Sequence, residues 1–133
     1  MSRARVFILH SVDSREVAAA LAEALRRLDI DPWVAEEQIT AGENLVEAIE
    51  SAMGRADAFV VLIWPGDLHR ANVNFELGVA VGLGKRVIPV LGPNVTAFRI
   101  PFDLAVRRQL LWSSAESVAS EVARALEAQA LPA

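Results

Sequence analysis

The sequence predicts a doubly wound α/β domain, with a parallel sheet of about five strands in the order 2-1-3-4-5 and helices on both faces. Three observations predict it. Short unbroken apolar runs, VFIL at 6–9 and AFVVLI at 58–63, read as strands buried on both faces. Segments with apolar residues at helical spacing alternate with such runs, which calls for right-handed crossovers between parallel strands. At 133 residues the chain suits one core rather than two, so a single domain over 1–133 is expected.

Taken in order, residues 6–9 form the first strand. Asp13, with Glu16 three residues later, reads as a capped helix start, and Val17, Leu21, Leu25 and Leu28 share one face of a helix over 14–28. Residues 31–34 make a short strand whose Pro32 suits a sheet edge. Polar, aperiodic 35–43 is a loop. Asn44 with Glu47 starts the next helix, Leu45, Ala48, Ile49, Ala52 and Met53 form its inner face, and Gly54 ends it. Residues 58–63 are the central strand, and turn-rich 64–70 leads to an apolar helix over 72–84. The fourth strand is 86–91, which contains Pro89, and an irregular connection follows over 92–106. A short strand over 109–112 and a helix over 114–130, with Val118, Val122, Ala125 and Leu126 inward, complete the fold.

Composition excludes several function classes. The chain has no cysteine, hence no disulfide framework, thiolate metal site or cysteine nucleophile. Its apolar runs fall far short of the roughly 18 residues a membrane helix needs, and the N-terminus lacks a signal-peptide pattern. A cytoplasmic protein without membrane contact is expected. A net charge of −4 argues against a nucleic-acid binder. Residues 28–54 hold seven acids (Asp29, Asp31, Glu36, Glu37, Glu43, Glu47, Glu50) and no base, while Arg70, Lys85, Arg86, Arg99, Arg107 and Arg108 lie elsewhere. Such a segment is ordinarily a solvated face. Alternatively, the acidic patch of one copy meets the basic patch of the next, a head-to-tail contact that yields an open filament.

In doubly wound sheets, ligands bind outside the carboxyl ends of the strands where the strand order reverses, here between strands one and three. That rule nominates the loops at 10–13 and 64–67. The familiar chemistries of such sheets are absent. A phosphorelay receiver needs acids after strands one and three, where this chain has His10, Ser11 and Trp64. There is no GxxxxGK[ST] loop, and Gly78, Gly82 and Gly84 do not make a GxGxxG fingerprint. Two histidines and no cysteine give no metal cluster. A triad can be drawn through Ser11, but nothing in the spacing favours it.

Glu76 stands out instead. It is the one carboxylate in the apolar stretch NVNFELGVAVGLG at 72–84. A helix apolar on most faces is a buried helix. With Asn72 as cap, Glu76 falls at the edge of the sheet-facing side, where apolar burial raises a carboxyl pKa and the helix N-terminus lowers it. A carboxylate in a partly dry cleft suits stabilisation of an oxocarbenium-like sugar. The plainer alternative is an exposed helix carboxylate, or one paired with Arg70.

Four blocks in order resemble a TIR domain: VFILHSVDS, DPWVAEEQITAGENLVEAI, ADAFVVLIWPGD and NVNFELGVAVGLGKRVIPV. Together they span most of residues 3–111. The last block is also similar to TIR-like nucleotide-binding proteins and to nucleoside deoxyribosyltransferases. The resemblance implies a flavodoxin-like fold and cleavage of NAD+ at the nicotinamide–ribose bond, giving ADP-ribose or a cyclic isomer. It implies Glu76 as the catalytic carboxylate, with NAD+ as substrate and no cofactor. It also implies His10 and Ser11 lining the nucleotide cleft, and Glu36, Glu37, Gly42 and Asn44 on a loop that gates the site or docks on another copy in a homo-oligomer. Trp33 and Trp64 either stack on a base or pack in the rim, and Asn72 either caps its helix or meets a ribose hydroxyl. Two departures bear on substrate orientation. Many such enzymes carry serine where this chain has Trp64, and tryptophan where it has Asn72. The rivals are a nucleoside 2-deoxyribosyltransferase-like enzyme and a non-catalytic self-association module in signalling.

Overall fold

The computed structural model describes residues 3–34, 40–65, 67, 83–95 and 108–130. Through them run β1 (Arg5–Leu9), a 3-10 turn (Val12–Ser14), α1 (Arg15–Arg27), β2 (Asp31–Trp33), α2 (Leu45–Arg55), β3 (Ala58–Ile63), β4 (Arg86–Leu91), β5 (Leu110–Leu111) and α3 (Ala115–Ala130). The strands form one sheet in the order β2-β1-β3-β4-β5, every pairing parallel. The sheet class and order are those expected from the alternating runs.

All six residues of β3 are buried. Strand alternation divides the core into two layers. Val60 and Leu62, with Val6, Ile8, Ile88 and Val90, face Leu21 and Leu25 of α1 and Val118 and Val122 of α3. Phe59, Val61 and Ile63, with Phe7, Leu9, Val87 and Leu91, face Ala52 and Met53 of α2. Each fully buried large side chain contributes roughly 1.5–3 kcal/mol, so this two-sided burial outweighs every surface contact in the molecule.

Local details differ from expectation, each for a physical reason. The cap before α1 is Ser11, not Asp13. Ser11 Oγ accepts from the Asp13 N–H and Ser14 Oγ accepts from the Ser11 N–H, each at 3.2 Å. These serines stand three apart and close the 3-10 turn reciprocally, so α1 begins after it. Leu28 is 45% exposed rather than inward, because α1 ends at Arg27 and the chain reverses through Asp29 at φ 60°. Gly54 lies inside α2, which runs on to Arg55. The end of that helix is held instead by Lys85, whose Nζ donates to the carbonyls of Gly54 at 3.2 Å and Ala56 at 2.8 Å. A cation there also opposes the negative end of the helix dipole.

Asn44 caps α2 as expected, its side chain accepting from the Glu47 N–H at 3.1 Å. β2 ends at Trp33 and β5 is only Leu110–Leu111, each shorter than its apolar run. Ser114 precedes α3 and accepts from the Ser117 N–H at 3.1 Å. Pro32 sits on edge strand β2, where a missing N–H is tolerated. Pro89 stands opposite Val61, and pairing with β5 begins only at Val90. The helix expected over 72–84, with Asn72 and Glu76, lies outside the described residues save for Leu83 and Gly84 in a turn. Glu36 and Glu37 lie outside them as well. Among the described residues no helix is long and apolar enough to cross a membrane.

Candidate functional site

β1 and β3 are adjacent and parallel, so the segments after Leu9 and Ile63 leave the sheet at the same end. β1 also pairs β2 on its other side, which makes this the point where strand order reverses. His10 is half-buried there, with Nδ1 2.9 Å from the Ser11 carbonyl oxygen. Ser11 is buried, and its hydroxyl oxygen serves the cap described above.

The turn after β3 closes on itself. The Trp64 N–H donates to Asp67 Oδ2 at 2.7 Å, and the Asp67 N–H donates to the Trp64 carbonyl at 3.0 Å. Asp67 is 2% exposed, so water competes little for this bond, which holds the turn. The Trp64 indole lies on Gly92, just past β4. A Cβ at position 92 would come within 2.5 Å of the ring. Trp112 meets the same indole edge-on, with centroids 5.9 Å apart. Trp64 therefore packs into the layer shared with α1 and α3.

Trp33 belongs to a different part of the molecule. It stacks on Phe7 at 4.8 Å, and Phe7 stacks on Phe59 at 5.1 Å, making an aromatic row across β2, β1 and β3. The row lies level with Phe7 in the middle of β1 rather than beside His10. A cavity of about 430 Å³ adjoins Trp33, lined by Asp31, Glu43, Ser51 and Arg55 among others. Gly42 takes φ 89°, and Asn44 is committed to its cap. Just before them, Glu43 Oε1 accepts from the Thr40 N–H at 3.0 Å and the Thr40 hydroxyl at 2.7 Å. Those two bonds, the backbone one first, hold the fully exposed Glu43 carboxyl below its ordinary pKa of 4.5.

A larger cavity, about 810 Å³, lies at the opposite sheet edge, away from the carboxyl-end loops. Arg86, Arg108, Arg124 and Glu121 line it, with Val87, Ile88 and Leu110 as its apolar floor. The described residues contain no cluster of three or more metal-ligating side chains. The arrangement thus brings the loops bearing His10, Ser11, Trp64 and Asp67 to one end of the sheet, while Trp33 is committed to the Phe7 row and Asn44 to its cap.

Residues 6–131 match the TIR domain family. The chain belongs to that family. Among solved structures it is similar to the TIR domain of a Toll-related receptor from Hydra magnipapillata, with TM-score 0.71 and 24% identity over 93% of this chain and 95% of that one. A TIR-STING receptor from C. gigas in complex with 2',3'-cGAMP gives TM-score 0.77 and 18% identity, over 91% of this chain but 38% of that one. A 2-desoxiribosyltransferase from Leishmania mexicana gives TM-score 0.66 and 16% identity, over 93% and 97%. At these identities the likeness is one of fold. No curated protein matches the chain.

Within this TIR domain, several residues that shape the site carried no signal as ligands. Asp67 was visible only as part of a turn, Gly92 only as a loop glycine. The Thr40–Glu43 clasp had a sequence signature, Thr and Glu three apart, displaced one turn before the true cap at Asn44.

Proposed function

We propose that this TIR domain cleaves the nicotinamide–ribose bond of NAD+, releasing nicotinamide and ADP-ribose or a cyclic isomer. The observation that carries the reading is the family match over 6–131, which spans the isolated carboxylate Glu76. In this reading Glu76 stabilises or traps the ribosyl cation as nicotinamide leaves, and water or an internal nucleophile completes the reaction. NAD+ is substrate, with no cofactor. His10 and Ser11 line the cleft, and Asn72 caps the helix that bears Glu76 or meets a ribose hydroxyl. Glu36, Glu37, Gly42 and Asn44 belong to the loop that borders it. The setting is cytoplasmic immune or antiphage signalling. The fold likeness to a 2-desoxiribosyltransferase supports N-glycosidic chemistry as the class.

The test is incubation of purified chain with NAD+ and measurement of free nicotinamide. Glu76→Ala and Glu76→Gln are expected to reduce release at least 100-fold, the scale of losing a principal catalytic group. Turnover that survives both substitutions sinks the role given to Glu76. Base release from deoxynucleosides but not from NAD+ selects the deoxyribosyltransferase reading.

A second reading, self-association, is favoured by charge. The β2–α2 edge carries exposed Asp31, Glu43, Glu47 and Glu50, and the β4–β5 edge carries exposed Arg86, Arg108 and Arg124. Opposite edges with opposite charge suit head-to-tail contact between copies, and such contact extends without closing. Salt-sensitive assembly without nicotinamide release identifies a non-catalytic module.

A further inference from the structure

His10 leaves the sheet at the carboxyl end of β1, beside the strand pair where the order reverses. Its Nδ1 lies 2.9 Å from the carbonyl oxygen of Ser11. A carbonyl oxygen only accepts, so Nδ1 carries the proton and donates. In the neutral ring the lone pair then sits on Nε2. Nε2 has no hydrogen-bond partner among the described residues.

Oxygens of the loops at this end of the sheet already accept from backbone donors. Ser11 Oγ accepts from the Asp13 N–H and Ser14 Oγ from the Ser11 N–H, both at 3.2 Å. Asp67 Oδ2 accepts from the Trp64 N–H at 2.7 Å. All three acceptors serve backbone donors of the loops they sit on. His10 itself is half-buried at the carboxyl end of β1.

We infer that His10 presents Nε2 to the ligand as a hydrogen-bond acceptor, and that its counterpart is an O–H or N–H donor. A sugar hydroxyl or a carboxamide supplies such a donor. The pyrophosphate diester of a dinucleotide carries no such donor, and only a doubly protonated ring could hydrogen-bond to it through Nε2. The mouth thereby selects the sugar or amide portion of a dinucleotide at this point and sets its pyrophosphate elsewhere. The inference rests on the nucleotide-cleft reading of this mouth.

The test is nitrogen NMR of the ¹⁵N-labelled full chain. There are two histidines, and His10→Gln assigns the signal by removing it. In the free protein, Nδ1 is expected to be protonated and Nε2 not. Addition of ADP-ribose, which has hydroxyls and no carboxamide, or of nicotinamide, which has the reverse, is expected to shift Nε2 without changing the tautomer. Which of the two acts names the donor. Inorganic pyrophosphate is expected to leave it unmoved.

His10→Ala, checked for a folded spectrum, is expected to weaken the ligand that shifts Nε2 about three- to tenfold, the worth of one neutral hydrogen bond. His10→Gln, whose amide oxygen reaches the same place, restores most of that loss. An Nε2–H tautomer in the free chain overturns the inference. So does an Nε2 signal unmoved by both organic ligands, a pyrophosphate-driven protonation of the ring, or His10→Ala binding as tightly as wild type. Nicotinamide release from NAD+ is scored separately. Nε2-mediated ADP-ribose binding without release removes the cleavage reading alone, and release with an unmoved Nε2 removes this inference alone.

Discussion

The carboxyl end of β1 and β3 and the outer edge of β4 and β5 use polar side chains in opposite ways. At the carboxyl end Ser11, Ser14 and Asp67 are buried, and each accepts from a backbone N–H. At the outer edge Arg86, Arg108 and Arg124 are exposed, and the Arg124–Glu121 pair is loose at 3.5 Å. A buried bond to a charged group is worth about 1.5–3 kcal/mol, whereas an exposed ion pair is worth about 0–1. The first region is held rigid by its polar groups. The second rests on an apolar floor and presents its charged side chains to solvent. A site that must orient a ligand needs the first arrangement, and a surface that steers a partner needs the second.

Substitutions at the two regions should therefore separate stability from association. The largest stability loss is expected for Gly92→Val. Its Cβ meets the Trp64 ring at 2.5 Å, and the ring is backed by Trp112, so overpacking should cost about 3 kcal/mol. Urea or thermal unfolding measures it. Pairing Gly92→Val with Trp64→Ala should recover part of the loss, because the clash is with that ring.

Asp67→Ala comes next, at about 2 kcal/mol, since it leaves the part-buried Trp64 N–H without its acceptor. Asp67→Asn keeps an acceptor oxygen and should cost about half as much. Arg108→Glu with Arg124→Glu should change unfolding stability by less than about 0.5 kcal/mol. The same double variant should abolish any salt-sensitive self-association seen by sedimentation or light scattering. If it lowers stability as much as Asp67→Ala does, the contrast between the regions fails.

The smallest effect is expected at the Thr40–Glu43 clasp. The carboxyl of Glu43 is held below 4.5, so its contribution is present above the unfolded value and is lost as pH falls through the lowered folded value. Thr40→Val removes the hydroxyl bond but keeps the backbone one. The NMR titration midpoint of Glu43 should move part of the way back toward 4.5.

Much of this was legible in the chain itself. VFIL and AFVVLI read as strands because a strand covered on both faces has no polar alternation to obscure it. Asn44 and Glu47 marked the start of α2 because a cap is a contact between residues three apart. Where two cap-competent residues competed, the local pattern misled. Asp13 had the expected spacing, but Ser11 and Ser14 satisfied each other and shifted the helix start.

Sequence by itself thus determined the main strands and their order, because periodicity and crossover handedness are properties of short segments and their succession. Tertiary structure alone decided that Trp64 fills the space over Gly92, that Trp33 stacks into the Phe7 row, and that Lys85 closes α2 from 29 residues away. It also decided which nitrogen of His10 is engaged, through a carbonyl one residue on whose direction depends on how the 3-10 turn packs. Those contacts join residues whose spacing in the chain carries no period, and only the packed sheet brings them together.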